Sequence, residues 1–353
     1  MSDLETHDTE SLRAVWPKSG YNEWINDTGE PNLVSVIIPT YNRAGLIVET
    51  LDSVKEQQYR PIEIIVIDDG SEDNTGTVVK DWAELLNDDK LTVAYHRQKN
   101  QGVASARNRG IKESQGTYIQ LLDSDDKLHP KKISSQVQLL KSHVQTEYTY
   151  CLTDYFGGEG SLQKVGYDLS DHGLQRALVE NPYQTSAALY ARGLVSRAGP
   201  FGRDLAPVDD WEFAIRAYLA ADGSVMFQDE AYNHQRNSSH DRLTGRERHF
   251  NEARLEAMIE NKKVLEKLGI LDRKKISKKL GINFVRMSFT LSDSESNDEK
   301  IREALDYAID ILDGKEKILP IILISLNGYK SLFEVAKRTV RGTKNIKDKV
   351  WFA

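Results

Sequence analysis

Residues 118–126 read Tyr-Ile-Gln-Leu-Leu-Asp-Ser-Asp-Asp, and this stretch decides the predicted fold. A short apolar run of β type ends abruptly in three carboxylates, at Asp123, Asp125 and Asp126. Clustered carboxylates repel one another, and burying them unpaired is costly. A divalent cation removes that conflict, because Mg²⁺ and Mn²⁺ prefer hard oxygen ligands. Ligands of open α/β sheets bind at the C-terminal ends of strands, so the stretch predicts a metal–diphosphate site. The alternative is a solvated acidic turn in which Asp126 starts the next helix.

Three more strands precede this one, and each is followed by a helical pattern. The β-branched runs lie at 33–38, 62–67 and 91–96, and the helical patterns at 46–57, 73–86 and 104–113. We expect Pro39 to stop the first strand. Strands that alternate with helices predict right-handed crossovers and a mainly parallel central sheet flanked by helices.

A second strand end also carries aspartates, Asp68 and Asp69. Adjacent strand ends at the switch point of a sheet form a crevice that can hold a nucleotide. Asp69 could accept a hydrogen bond there from a base N–H or a ribose hydroxyl; the alternative is that either aspartate only caps the following turn. Arg107, one turn into the third helix, can reach the same crevice as a counter-charge, although an arginine at such a position is often a surface residue.

Further along, the pattern predicts a helix at 131–142 and strands at 148–153, 181–190 and 225–227. A further helix, ending at residue 219, is opened by the acidic pair Asp209 and Asp210. An acidic pair at this position could supply a functional carboxylate. The alternative is that one of the pair is an N-cap, a role compatible with catalysis by the other.

Four segments in order, residues 36–42, 67–71, 100–110 and 122–126, resemble a family 2 glycosyltransferase of GT-A fold. The resemblance covers about residues 33–240. It implies a Rossmann-like α/β sheet, a nucleotide-diphosphate sugar donor, inversion at the anomeric carbon, and a divalent metal, Mn²⁺ or Mg²⁺. UDP-sugar is the commonest donor of such a family, and the acceptor would be a glycan or a lipid-linked glycan in polysaccharide or glycoconjugate assembly.

The resemblance also implies roles for individual residues. Those expected to bind the nucleotide sugar are Pro39, Thr40, Tyr41, Asp69, Arg107, Asp123, Ser124 and Asp125. Asp125, with Asp123, would hold the metal against the diphosphate, and Asp210 would be the general base. His234 matches a family histidine near the diphosphate or metal; His240 is its rival, and either could simply be a solvated loop residue.

Two rival functions fit parts of this pattern. One is a non-catalytic nucleotide-sugar-binding or scaffold protein on the same fold, because fold alone does not fix function. The other is a sugar nucleotidyltransferase, which should carry a Gly-rich basic loop after the first strand, where residues 39–42 read Pro-Thr-Tyr-Asn. The Gln-x-x-Arg-Trp motif of processive synthases does not occur in the sequence, which favours single transfer.

We divide the chain into an arm (1–32), a GT-A domain (33–241) and a helical C-terminal extension (242–353). The net charge of -7 gives no indication of nucleic-acid binding, and Cys151 is the single cysteine. With no apolar stretch of about 18 residues, these features predict a cytoplasmic protein.

The C-terminal end of the chain has a different charge. Residues 330–353 contain seven basic and two acidic residues, a net charge of +5, with apolar side chains among them. They would suit peripheral contact with the inner face of an anionic membrane. The alternative is a solvated helix that packs on the helical region or on a second subunit of a homo-oligomer.

Overall fold

The computed structural model describes residues 24–157, 164–169, 177, 181–202, 209–221, 224–236, 247–267 and 298–311, with isolated helical residues between 277 and 291. Three predicted features lie outside the described residues: the N-terminal arm as far as residue 23, His240, and the basic segment 330–353.

One mixed sheet of eight strands organises the described residues, in the order β3-β2-β1-β4-β7-β6-β8-β5. The strands are β1 (Glu30–Thr40), β2 (Ile62–Asp68), β3 (Leu91–Arg97), β4 (Gly116–Leu121), β5 (Lys127–Leu128), β6 (Tyr148–Phe156), β7 (Ala188–Ala191) and β8 (Val225–Arg236). Strands β1 to β4 are parallel, as predicted. β7 runs antiparallel to β4 and β6, and β5 antiparallel to β8. The α/β class is therefore confirmed, with the parallel pattern strongest in the first half.

Helices cover both faces of the sheet because the strands alternate their side chains between two apolar layers. The helices are α1 (Ile47–Lys55), α2 (Thr75–Glu84), α3 (Val103–Glu113), α4 (Lys132–Ser142), α5 (Arg192–Ala198), α6 (Asp209–Ala220), α7 (Glu247–Lys267) and α8 (Asp298–Ile311). In β1, Val36 and Ile38 pack with residues of α1, α2 and α4. Ile37, between them, packs with residues of α3, α5 and α6.

Several predicted boundaries were wrong. β1 does not stop at Pro39: Pro39 pairs with Ile67, and the carbonyl of Thr40 accepts from Asp69 N–H at 2.8 Å. Proline lacks only its own backbone N–H donor, so the backbone groups of Thr40 can still pair with β2. β1 also starts at Glu30, within the stretch we assigned to the arm. The alternative for Asp126 was wrong as well, because β5 follows it and α4 begins only at Lys132.

The chain divides into two compact units, Met1–His240 and Asp241–Ala353. In the second unit, α7 and α8 bury Leu255 and Leu305, and Lys262 forms an ion pair with Asp310 at 3.0 Å. None of the helices described is long and apolar enough to cross a membrane.

Candidate functional site

The loops after β1 and β2 are joined side by side, and they form one wall of the candidate site. Asn42 N donates to Ser71 Oγ at 2.9 Å, and Asn42 accepts from Glu72 N at 2.8 Å. Thr40 is buried, and its hydroxyl oxygen has no hydrogen-bond partner among the described residues. Tyr41 beside it is 43% exposed. An unpartnered buried hydroxyl next to an exposed aromatic ring at the strand end suits the binding of a polar, planar ligand.

Asp68 and Asp69 are both buried, and hydrogen bonds reach all four of their oxygens. Asp68 accepts from Ser71 N at 2.7 Å and from Tyr95 Oη at 2.5 Å. Three donors bind Asp69: Gln98 Nε2 at 2.7 Å, Gln101 N at 3.0 Å and Gly102 N at 2.8 Å. The turn-capping alternative thus describes Asp68. Asp69 fixes the loop that leads into α3. A base or ribose that binds Asp69 would donate to carboxylate oxygens that already accept from those three donors.

Arg107 connects segments that are distant in sequence. From α3, its Nη2 contacts Asp123 Oδ1 at 3.0 Å and its Nη1 contacts Asp209 Oδ2 at 2.8 Å. The guanidinium is buried, and within the part of the chain that the structure describes its Nε has no hydrogen-bond partner. Although burial opposes it, the carboxylates of Asp209 and Asp123 hold the pKa of Arg107 above its ordinary value. It is a buried counter-charge that brings the start of α6 to the end of β4.

Asp209 and Asp210 are the first two residues of α6, and they differ in their partners. Asp209 is bound to Arg107, whereas Asp210 accepts from Trp211 N at 2.8 Å and from Thr185 Oγ1 at 3.1 Å. Burial, and then the negative charge of Asp209, raise the pKa of Asp210 to about 6. Such a carboxyl is ionised at neutral pH yet basic enough to accept a proton, which suits general-base chemistry.

Asp123, Ser124 and Asp125 follow β4 as predicted. The side chain of Asp123 is 33% exposed and that of Asp125 14%, with Arg43 Nη2 at 4.0 Å from Asp125 Oδ2; Ser124 is buried. Among the described residues no three His, Cys, Asp or Glu side chains are arranged to hold a metal ion by themselves, which applies to Asp123, Asp125 and His234 too. Mg²⁺-type sites typically use one or two carboxylates and complete their ligands with water and substrate phosphates. Asp123 and Asp125 fit a site of that kind.

His234 lies in the strand β8, so the alternative that it is a solvated loop residue was wrong. β8 extends to Arg236 because it pairs with β6 through irregular registers and with β5 at Lys127. These pairings hold polar residues that do not look like a strand in sequence. The Nδ1 of His234 contacts Asp154 Oδ1 at 2.5 Å, so a ligand would have to bind at Nε2.

Sequence reasoning missed the turn before β7. Thr185 contacts Asp210, and the hydroxyl of Ser186 accepts from Asp123 N at 3.2 Å. The one signal was a polar Gln-Thr-Ser run immediately before the apolar residues of β7. It also missed Arg43, which follows the β1 motif and lies beside Asp125.

Comparison with known proteins gives a family for part of the chain. Residues 35–184 match the family described as Glycosyl transferase family 2. An uncharacterized glycosyltransferase of Haemophilus influenzae is 36% identical over 141 residues, which cover 38% of this chain and 55% of that protein. A PGL/p-HBAD biosynthesis glycosyltransferase of Mycobacterium tuberculosis is 29% identical over 188 residues, covering 53% of this chain and 70% of the relative.

Other relatives share only a limited part of their length. A Rickettsia felis uncharacterized glycosyltransferase is 41% identical over 110 residues, which span 31% of this chain and 17% of that protein. The family match at residues 35–184 includes β2, β3 and β4 and most of β1.

Solved structures show the same fold. Staphylococcus aureus TarS 1-349, crystallised with UDP-GlcNAc, aligns with a TM-score of 0.54 at 18% identity, over 82% of this chain and 91% of that one. The mannosyltransferase PcManGT of Pyrobaculum calidifontis, in complex with GDP-Man and Mn²⁺, aligns with a TM-score of 0.53 at 19% identity, over 97% and 94%. These likenesses confirm the predicted GT-A fold.

Proposed function

We propose that the protein is an inverting, metal-dependent glycosyltransferase that moves a sugar from a nucleotide diphosphate to an acceptor hydroxyl. The match of residues 35–184 to the family described as Glycosyl transferase family 2 supports this proposal. UDP is the proposed nucleotide, and the nucleotide-sugar complexes of the TarS and PcManGT structures support a donor of this class.

The bridge made by Arg107 is the strongest support. It joins Asp123 at the end of β4 to Asp209, the neighbour of Asp210 on α6. It brings together two segments that are 86 residues apart in sequence, from Asp123 to Asp209. With it, a carboxyl of pKa about 6 lies in the same crevice as the strand-end carboxylates.

In the proposed mechanism, the acceptor oxygen attacks the anomeric carbon from the face opposite the diphosphate. Asp210 takes up the hydroxyl proton as the new C–O bond forms and the bond to the diphosphate oxygen breaks. Asp125 and Asp123 would hold the divalent cation, and His234 is proposed to contact the cation or the diphosphate through its Nε2. A cation bound there supplies Lewis-acid stabilisation of the charge on the leaving diphosphate. Thr40, Tyr41 and Asp69 would bind the base and ribose.

The first experiment tests donor and metal together. Thermal denaturation of the full chain is followed with UDP-Glc, UDP-Gal, UDP-GlcNAc or GDP-Man, each with Mn²⁺, Mg²⁺ or EDTA. We expect a rise in Tm with one nucleotide class that EDTA abolishes, since a ligand at 100 times its Kd stabilises the native state by about 2.7 kcal/mol. Release of the free nucleotide and the anomeric configuration of the product, by NMR, then test transfer and inversion.

Two outcomes would count against the proposal. If no nucleotide sugar raises Tm with either metal, the donor class is wrong. If a donor binds but nucleotide release with a panel of glycan acceptors stays at the rate of Asp210→Asn, the non-catalytic binding protein becomes the better interpretation.

The acceptor and the cellular context are proposals of a coarser kind. A glycan or lipid-linked acceptor is proposed from the family resemblance; the Mycobacterium tuberculosis relative is named for PGL/p-HBAD biosynthesis. Residues 242–353 are proposed as a packing or acceptor-side module, and residues 330–353 as a peripheral membrane contact. Co-sedimentation of the full chain and of a chain ending at Gly328 with anionic vesicles at low salt tests the latter; equal pelleting of both would contradict it.

A further inference from the structure

The turn before β7 contacts a different element of the site with each of four consecutive residues. Gln184 accepts from Gln235 of β8, Thr185 donates to Asp210 of α6, Ser186 accepts from the main chain of Asp123 after β4, and Ala187 accepts from Gln136 of α4, at distances of 3.5, 3.1, 3.2 and 3.0 Å respectively. The turn therefore joins the proposed base to the proposed donor site by a route independent of Arg107.

A buried lysine, Lys132, fixes the position of this turn through two glutamine side chains, Gln120 and Gln136. The Nζ of Lys132 is fully buried and donates to Gln120 Oε1 at 2.5 Å and to Gln136 Oε1 at 2.7 Å. An ammonium group can only donate, so it fixes both amides with their Nε2 atoms pointing away from it. Those Nε2 atoms donate to the carbonyls of Ser186 at 2.9 Å and Ala187 at 3.0 Å.

Burial of the Lys132 ammonium group is unfavourable in free energy, which indicates that the defined position of the turn has a function. Burial lowers the pKa of Lys132 to about 8, and a buried ammonium bound to neutral amides is unfavourable relative to water. Buried polar networks of this kind are rigid when their members are satisfied. The network thus gives the turn one defined position, and with it the Thr185 hydroxyl.

We propose that Thr185 is a positioning residue for the transfer reaction: its hydroxyl, held in place by the Lys132 network, fixes the Asp210 carboxylate in the orientation in which it receives the acceptor proton. This inference rests on the proposed function. Trp211 N binds the other carboxylate oxygen at 2.8 Å, so the two donors together define the plane of the group. An error of about 1 Å in such a group can cost on the order of 10²-fold in rate.

The hydroxyl also acts on the charge of Asp210, because it stabilises the ionised form that a base requires. The charged and titratable groups that act on this carboxyl are Asp209, Arg107, Asp123 and Tyr190. Burial and the two aspartates oppose ionisation, whereas Arg107 favours it. Removal of the Thr185 donor should therefore raise the pH at which Asp210 loses its proton.

The test compares Thr185→Val, which keeps the β-branched shape and lacks the hydroxyl, with Thr185→Ser, which keeps the hydroxyl. Hydrolysis of the donor that gives the largest metal-dependent thermal shift is measured between pH 5 and 9. We expect Thr185→Val to lower kcat at pH 7 about ten-fold, with the donor KM within about two-fold, and to move the acidic limb of kcat up by about one pH unit. Thr185→Ser should restore most of kcat and the wild-type acidic limb.

A second readout needs no turnover. In protein labelled with ¹³C at the aspartate carboxyls, the Asp210 resonance is identified by its loss in Asp210→Asn, and its titration midpoint is compared between wild type and Thr185→Val. We expect the midpoint to rise by about one pH unit in the variant. Wild-type kcat and midpoint in Thr185→Val would overturn the inference, and so would an equal loss of kcat in Thr185→Ser.

The two proposals fail in different ways. If wild type hydrolyses the donor, Asp210→Asn does not, and Thr185→Val behaves as wild type, only the role of Thr185 is wrong. If wild type shows neither metal-dependent donor binding nor hydrolysis, the proposed function is wrong, and the positioning role is wrong with it.

Discussion

The two strand ends that carry aspartates, Asp68–Asp69 after β2 and Asp123–Asp125 after β4, look alike in sequence and differ in their surroundings. The first pair is buried and receives hydrogen bonds from main-chain N–H groups, an amide and a phenol. The second pair is more exposed, and guanidinium groups lie beside it: Arg107 at Asp123 and Arg43 at Asp125.

This difference separates structure from chemistry. The neutral donors around Asp68 and Asp69 satisfy both carboxylates and fix the conformation of the neighbouring loops. Asp123 and Asp125 lie beside arginine side chains, so a divalent cation or an anionic substrate that binds there changes the local electrostatic potential and with it the ion pairs. Asp68 would therefore serve to hold the loops, and Asp69 would hold the loop before α3 and also contact the base or ribose. The β4 end, through Arg107, would serve the reaction.

The largest effect is expected at Asp210, the neighbour of Asp209, to which Arg107 is bound. Asp210→Asn should lower the rate of transfer by roughly 10²- to 10⁴-fold, the usual contribution of a general base, because an amide cannot take up the proton. Donor affinity, by calorimetry, should stay near wild type. Full turnover in this variant, or loss of donor binding in place of turnover, would show that the base is another group.

The next effect concerns the metal. Asp125→Asn should weaken UDP binding in the presence of Mn²⁺ by at least about ten-fold, since the variant removes a charged oxygen ligand while keeping the side-chain size. Isothermal calorimetry with and without EDTA measures it, and thermal denaturation checks the fold. Unchanged affinity for UDP with Mn²⁺ would contradict the assignment of Asp125 as a ligand.

A smaller effect, of another kind, is expected at the β2 end. Asp68→Asn should lower the free energy of unfolding by about 2 kcal/mol, because Ser71 N or Tyr95 Oη loses its charged acceptor. The affinity for UDP with Mn²⁺ should stay within about two-fold of wild type. Tyr95→Phe, which removes one donor and leaves the carboxylate, is the matched control and should cost about 1 kcal/mol in urea denaturation. If Asp68→Asn instead weakens UDP binding as much as Asp125→Asn does, the contrast between the strand ends fails.

The smallest effect links the base to stability. The pKa of Asp210 in the folded protein, about 6, lies above its ordinary value of 3.8, so the native state binds the proton more tightly than the unfolded state. The ionised carboxyl consequently destabilises the fold increasingly as the pH rises from about 4 to 6. Asp210→Asn should be more stable than wild type by on the order of 1 kcal/mol at pH 7, with the difference shrinking toward pH 4. A wild type that is the more stable protein at pH 7 would contradict the raised pKa.

Periodicity and strand-end residues predicted a large part of the first unit. The buried runs of β1, β2 and β4 identify themselves by their β-branched and apolar residues, and the helices between them by helical spacing. Pairing with β6, which is distant in sequence, extends β8 into the polar residues that end at Arg236. The local sequence pattern does not predict this extension.

The sequence by itself determined the α/β class, the parallel direction of the first strands and the acidic strand ends, because these depend on local periodicity and on residue type. It could not distinguish the two aspartate pairs, since both are strand ends followed by polar residues. Only the tertiary structure decided that Asp69 is bound by the loop before α3, that Arg107 joins Asp123 to Asp209, and that Thr185 meets Asp210. The physical reason is that burial and hydrogen-bond partners set the charge and the orientation of a carboxylate, and these come from segments far apart in the chain.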